Sequence, residues 1–256
     1  MATQQLKKFK ILLVGDNGID QYQYGTVDRI SPEAPVPVLR YSHSVTKPGM
    51  AANVKQNLEA LGCEVHFEHG IKTCVKTRII DLRSKQQLVR VDQDDNSRPV
   101  KLNFSNLKQY HAVVVSDYNK GSVSNEVIQD LRKNYIGPIF VDTKKTELAK
   151  LEGCVFKINQ LEHNRLVSYP KDPTSLIVTK GDAGASWAGQ NFEAQPVEVS
   201  DVCGAGDTFL AALAYGYLVN NDMPAAIQFA MRASAVTVQH VGVYAPTLAE
   251  INQEKS

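Results

Sequence analysis

Asp201-Val202-Cys203-Gly204-Ala205-Gly206-Asp207-Thr208 stands directly before a run of helix formers, Phe209 to Val219. The Gly-Ala-Gly triplet carries almost no side chain, so a ligand can approach the backbone closely. At the start of a helix, the amides of Gly204, Ala205 and Gly206 face outward. Unpaired N–H groups and the positive end of the helix dipole hold anions there. A carboxylate beside an anion site looks contradictory. It fits if Asp207 takes a proton from a hydroxyl while the amides hold the phosphoryl group which that hydroxyl attacks. On local chemistry alone the same stretch is equally a tight turn with Asp201 or Asp207 as a helix cap.

The pattern Asp-x-x-Gly-Ala-Gly-Asp-Thr resembles the C-terminal signature of the ribokinase-type (PfkB) sugar kinases. The resemblance implies a catalytic base at Asp207 and an anion hole at Gly204, Ala205 and Gly206. It also implies a ribokinase-like α/β fold: a central, mostly parallel sheet flanked by helices, with a small β lid over the sugar.

Working outward, Lys10 to Val14 predicts a buried strand ending at Gly15. Gly15-Asp16-Asn17-Gly18-Ile19-Asp20 follows, where open α/β sheets place ligands. A carboxylate accepts well from sugar hydroxyls, although a lone Asp also fits a polar turn. The spacing resembles the start of the same family and implies Asp20, with Asp16, as sugar ligands. Tyr22 to Val38 includes Arg29-Ile-Ser-Pro-Glu-Ala-Pro-Val-Pro-Val38. It resembles the heptose-7-phosphate kinases, among them the kinase half of the bifunctional ADP-heptose enzymes. Its prolines predict a short edge strand.

Lys47-Pro48-Gly49-Met50-Ala51-Ala52-Asn53 leads into a helix with Ala51, Val54, Leu58 and Leu61 on one face, stopped by Gly62. The family's Pro-Gly-Gly-Ala-Ala-Asn implies sugar contacts at Gly49 and Asn53. Met50 replaces the second glycine, which implies a narrowed pocket or a changed sugar preference. After Gly62, between Cys63 and Val75, the chain is shorter than the family pattern by one α/β unit of about 30 residues. His66 and His69 in that stretch could share a metal on a helix, but no third ligand stands nearby.

Val75 to Leu82 and Gln87 to Val91 predict two strands around Arg83-Ser84-Lys85. With residues 22–47, the stretch 75–92 forms the expected lid. Arg90 is either a bidentate sugar-phosphate contact or a solvated strand charge. Ser116-Asp117-Tyr118-Asn119-Lys120-Gly121 matches the family's Ser-Asp-Tyr-x-Lys-Gly. It implies Lys120 as a phosphate or sugar-phosphate contact and Asp117 as a structural or sugar-side carboxylate. The alternation of strand and helix through 112–142 predicts a parallel sheet.

Val141-Asp-Thr-Lys144 resembles the family's Val-Asp-Pro-Lys and implies Lys144 near the nucleotide phosphates. Asn159-Gln-Leu-Glu162 matches Asn-x-x-Glu, which implies Mg²⁺ organised through water at Asn159 and Glu162. The same residues fit a helix start capped by Asn. Thr179, Gly181 and Gly184 match a family turn beside ATP, and Gly242 matches its adenine-side turn.

The 28 basic and 27 acidic side chains leave a formal charge of +1, which favours neither nucleic acid nor an anionic membrane. Four scattered cysteines suggest neither a zinc site nor a disulfide framework. The first apolar run, Ile11 to Val14, is too short for a signal peptide or membrane span. The expectation is a cytoplasmic chain, residues 1–256 forming one kinase domain, without the nucleotidyltransferase half of the bifunctional enzymes. It transfers the ATP γ-phosphoryl group to a sugar or sugar-phosphate hydroxyl, foremost the anomeric hydroxyl of heptose 7-phosphate, and pairs as a homodimer through the lid. A kinase for fructose or ribose, or a non-catalytic nucleotide or sugar-phosphate binder, is the alternative.

Overall fold

The computed structural model describes residues 8–94 and 96–253. Its elements run β1 (Lys10–Gly15), β2 (Asn17–Ile30), β3 (Pro37–Met50), α1 (Ala51–Ala60), β4 (Glu64–His69), β5 (Cys74–Asp81), β6 (Gln87–Gln93), β7 (Ala112–Asp117), α2 (Asn125–Asn134), β8 (Ile139–Thr143), β9 (Val155–Asn159), α3 (Gln160–His163), β10 (Leu176–Thr179), β11 (Ala185–Trp187), β12 (Gln190–Phe192), α4 (Ala205–Asn220), α5 (Met223–Val238) and α6 (Leu248–Gln253). The expected span of 1–256 is thus followed over 8–253, and its outermost residues lie outside the described ones.

The apolar runs of β1, β7 and β8 are almost wholly buried, as strands covered on both faces must be. They form the middle of an eight-stranded sheet of order β12-β11-β10-β9-β8-β7-β1-β4. From β4 to β10 every pair is parallel, and only β11 and β12 run antiparallel. One apolar cluster joins α1, α4, α5 and α6 to one face through Val54, Leu58, Phe209, Leu213 and Ile227. A second covers the opposite face with Ile128 and Leu131 of α2. Helix α4 is buried on all sides from Asp207 to Gly216, sandwiched between the sheet, α1 and α5.

A separate four-stranded sheet of order β3-β2-β5-β6 is the lid. Its strands begin at Asn17 and Cys74, so β2 grows directly out of the end of β1. The short edge strand expected around Val36 to Tyr41 is in fact the 14-residue β3. It pairs with β2 along its whole length, and as an edge strand it tolerates Pro48.

The connection after Gly62 is also corrected. A strand survives there: β4 lies parallel to β1, with Lys10 opposite Glu64, and the chain enters the lid directly after it. His66 and His69 are therefore three apart on a strand, where side chains alternate between faces. Among the described residues no group of three metal-ligating side chains occurs.

Candidate active site

The turn before α4 is held open from three sides. Gly204, the N-cap, has φ 82°, a conformation that favours glycine. A Cβ there would also stand 2.8 Å from Asn53 Nδ2 and 3.1 Å from Val243. Asp201 fastens the turn by accepting from the amides of Cys203 at 3.0 Å and Gly242 at 2.9 Å. The Ala205 amide makes a long bond of 3.3 Å to the Val202 carbonyl. Those of Gly204 and Gly206 donate to no protein group among the described residues. The result is a set of backbone donors at the positive end of a buried helix.

Asp207 sits in the first turn of α4, buried. Its two oxygens accept from Asn53 Nδ2 at 2.9 Å and Tyr118 Oη at 2.7 Å. Burial pushes its carboxyl up to about 6, against the opposing pull of the Asn53 and Tyr118 bonds and of Lys157, while Asp142 adds to the rise. A carboxyl so placed is ionised at neutral pH and close enough to its titration to take a proton well. Asn53 is itself fixed by Asn57, which donates to the Asn53 carbonyl at 2.8 Å and accepts from Thr208 at 2.8 Å. Tyr118 is pushed well above the ordinary phenol value by burial and the nearby Asp207 charge, so its hydroxyl serves as a donor.

Asp16 proves to be the anchor of the Tyr118 loop rather than a free sugar ligand. Its carboxylate accepts from the backbone amides of Tyr118, Lys120 and Ser122 at 2.9, 3.0 and 3.0 Å. Asp117 is likewise consumed internally, by Thr143 Oγ1 at 2.6 Å, Lys145 Nζ at 2.7 Å and the Asn119 amide at 2.9 Å. Lys120 pairs with Asp94 at 2.6 Å.

Asp20 and Gly49 meet at the base of the lid, where β2 and β3 pair. A Cβ at Gly49 would lie 2.7 Å from Asp20 Oδ2, so the glycine makes room for that carboxylate. Asp20 pairs with Arg78, whose guanidinium lies 5.3 Å from the centre of the Tyr22 ring. Arg90 is not brought to this cluster. It is clamped by Asp92 at 2.8 and 2.9 Å on the wholly exposed edge strand β6. Arg78 stands directly opposite it in the β5–β6 register, one strand closer to the site. Lys76, two residues before, lies 5.5 Å from the centre of the Tyr118 ring. Sequence reasoning assigned no role to Arg78, Lys76 or Tyr118; cross-strand partnership to Asp20 and Tyr22 was the available signal. Met50 is buried with φ 51°, and its thioether packs on Gly18.

On the other side of the turn, Thr179, Gly181 and Gly184 line a cavity of about 1280 Å³ that extends past Val199 and Met231 to Ala205 and Gly206. A Cβ at Gly184 would fall 1.9 Å from the Phe192 carbonyl oxygen, so that glycine is fixed by strand packing; at Gly181 the space is open. Asn159 and Glu162 form a reciprocal capping box, each accepting from the other's amide at 2.9 Å. The second Glu162 oxygen holds Lys144. Gly242 does not line the cavity. It lies between Asp201 and the lid, where a Cβ would stand 3.1 Å from Tyr22 Oη and 3.2 Å from Lys47 Nζ.

A lidded, doubly covered parallel sheet with a buried carboxylate behind a helix-terminal anion turn defines a phosphotransferase that acts on hydroxyl groups. Residues 41–250 match the pfkB family of carbohydrate kinases, and the chain belongs to that family.

The chain is similar to the D-beta-D-heptose 7-phosphate kinase of Bordetella bronchiseptica, at 31% identity over 99% of this chain and 98% of the relative. It is also similar to the bifunctional protein HldE of Nitratiruptor sp., at 33% identity over 96% of this chain and 65% of that protein. It therefore spans about two thirds of the bifunctional relative's length. The latter alignment runs over 302 positions against 256 residues here, so the relative carries residues that this chain lacks. Among solved structures, Arabidopsis thaliana ribokinase complexed with ribose and ATP matches with a TM-score of 0.71 and 16% identity, over 96% of this chain and 98% of that one. Phosphofructokinase-2 from Escherichia coli matches with a TM-score of 0.67 and 16% identity, over 95% and 97%. These two support the fold.

Proposed function

We propose that this chain is one kinase domain that transfers the γ-phosphoryl group of ATP to the anomeric hydroxyl of heptose 7-phosphate. The observation that carries it is the buried Asp207 carboxylate, aimed by Asn53 and Tyr118 beside the Gly204 and Gly206 amides, which donate to no protein group among the described residues. Asp207 takes the hydroxyl proton as the sugar oxygen attacks phosphorus. The bond to the β–γ bridging oxygen breaks, ADP leaves, and the amides bear the charge on the transferring group. Asp20, Gly49 and Asn53 hold the sugar, and Arg78 with Lys76 supplies positive charge on the lid for an acceptor that carries its own phosphate. Thr179, Gly181 and Gly184 line the nucleotide cavity, and Lys144, 5.4 Å from the centre of the Tyr118 ring, supplies charge for the phosphates.

The donor set near Lys144 suits a hydrated Mg²⁺. Glu162 and Asn159 offer hard oxygens already engaged in the capping box and the Lys144 pair, which fits contact through water better than direct ligation. Bound with the nucleotide, the ion would neutralise phosphate charge.

The lid edges support pairing with a second copy. Exposed apolar side chains stand at both edges of the lid sheet, Tyr41 on β3 and Val89 and Val91 on β6, with Ile30 and Val36 at the β2–β3 turn, and among the described residues β6 has no neighbour on its outer side. Sedimentation at high micromolar concentration should give a dimer; a monomer removes this part. No helix among the described residues is long and apolar enough to cross a membrane.

The test of the substrate is ATP consumption over a panel of heptose 7-phosphate, fructose, fructose 6-phosphate and ribose. Turnover of heptose 7-phosphate alone is expected. Preference for fructose or ribose would reassign the substrate, and nucleotide binding without turnover would make the chain a non-catalytic binder.

A further inference from the structure

Beneath the anion turn lies a lysine that the reaction as described does not use. Lys157 is on β9, and its register partner on β8 is Asp142. The two form an ion pair at 2.7 Å with side-chain exposures of only 4% and 13%. The ammonium is directly under the first turn of α4: a Cβ on Gly206 would stand 3.1 Å from Nζ, with no other atom that close to it. Lys157 also draws the Asp207 carboxyl downward while Asp142 pushes it up, so both charges are felt at the base.

This is a costly place for a cation. A buried ammonium is disfavoured by desolvation, and the positive end of a buried helix adds repulsion. A single carboxylate offsets this, and that carboxylate in turn repels Asp207. An arriving group with two or more negative charges removes the conflict. The glycine at 206 keeps its own side chain from standing over the ammonium, and Gly206 lines the nucleotide cavity.

We propose that Lys157 is a further catalytic residue: its ammonium meets the transferring γ-phosphoryl group from below Gly206 and, with the turn amides, bears its charge. No proton passes through it. The acceptor proton goes to Asp207, the phosphorus–oxygen bond to ADP breaks, the bond to the acceptor oxygen forms, and Lys157 stabilises the group in flight. The assignment rests on the kinase reading above and adds a residue to it.

The test compares ATP and ADP affinity, with Mg²⁺ and without sugar, in the parent and in Lys157→Met. Only ATP carries the contacted group. The expected result is ATP affinity lower by about 10-fold or more, ADP affinity within about 2-fold of the parent, and a kcat lower by about 10²–10³, the scale for losing one charge-stabilising donor. Should the single variant not fold, Lys157→Met with Asp142→Asn leaves no buried unpaired charge, and the same ATP-to-ADP comparison is made on it. Equal weakening of both nucleotides, or of neither, would make Lys157 only the counter-ion of Asp142 and overturn the proposal. A parent that binds nucleotide and phosphorylates sugar while the variants show an unchanged ratio sinks Lys157 alone. A parent that does neither sinks the kinase reading itself.

Discussion

Replacing Asp207 by Asn removes the proposed base and keeps its size. Burial lifts the carboxyl from the ordinary 3.8 to about 6, which disfavours its ionised form by about 3 kcal/mol. Because the folded-state value is raised, this group is protonated in both states below pH 4, and no penalty applies there. Between pH 4 and 6 the penalty grows, and above 6 it is fully present. Asn carries no such penalty. Its amide oxygen can still accept from Asn53 while its nitrogen turns to Tyr118, whose hydroxyl then changes from donor to acceptor, at a cost that is the same at every pH. The stability of Asp207→Asn relative to the parent should therefore rise by about 3 kcal/mol between pH 4 and pH 7, whatever that exchange costs. Turnover should fall by about 10²–10⁴, the usual span for losing a general base, while ATP affinity holds or increases. Phosphoryl transfer, ATP binding and urea unfolding at both pH values would be measured on the two proteins side by side. Near-parental turnover would exclude Asp207 as the base. A flat stability difference between pH 4 and 7 would refute the burial argument, and a variant that cannot fold would point to a capping role.

Tyr118→Phe deletes one of the two bonds that hold the Asp207 carboxyl down, so the acid limb of kcat/KM should move to higher pH by about one unit; an unmoved limb would separate Tyr118 from the base. Asp16→Ala strands three backbone amides and should destabilise by about 3–5 kcal/mol in urea unfolding; a loss under about 1 kcal/mol would show the loop is held otherwise. At Met50, where φ is 51° and ψ is −133°, Gly relieves strain of about 1–3 kcal/mol that Ala retains. Met50→Gly should thus melt above Met50→Ala, the reverse of the usual order beside a helix, and equal melting would mean the backbone there is not strained.

The parallel core was legible because β1, β7 and β8 are continuous apolar runs that only a doubly covered sheet can hide. Asp207, the Gly204–Gly206 turn, Asn53, Asp20 and Gly49 were singled out by resemblance to the sugar-kinase motifs, since local chemistry alone read the turn equally well as a helix cap. What the sequence concealed was mostly order across the lid. Arg78 and Arg90 are register partners on one face, and nothing in either strand says which lies inside and which forms the edge. Asp16 and Asp117 look like ligands in one dimension, yet each is saturated by loop amides or side chains that come together only when β1, β7 and β8 align. Lys157 reads as an ordinary polar position in a strand, because the burial that gives it meaning comes from a helix some fifty residues later in the chain. The strand β4 was legible in the alternation Glu64-Val65-His66-Phe67-Glu68, which turns Val65 and Phe67 inward; reading the stretch only for what it lacks passed over it.

The all-round burial of α4 also sets a timetable. The central strands β1, β7, β8 and β9 are complete by Asn159, but the helix that covers one face of them and carries Asp207 begins at Ala205. During synthesis the growing chain has its lid strands in place while the inner face against which Phe209, Leu210 and Leu213 will pack is still bare. At about 5–20 residues per second that interval lasts a few seconds. Chains stopped before Asn220 would expose a sheet-sized apolar surface and depend on chaperones, so termination or cleavage between Ala205 and Asn220 should produce insoluble material.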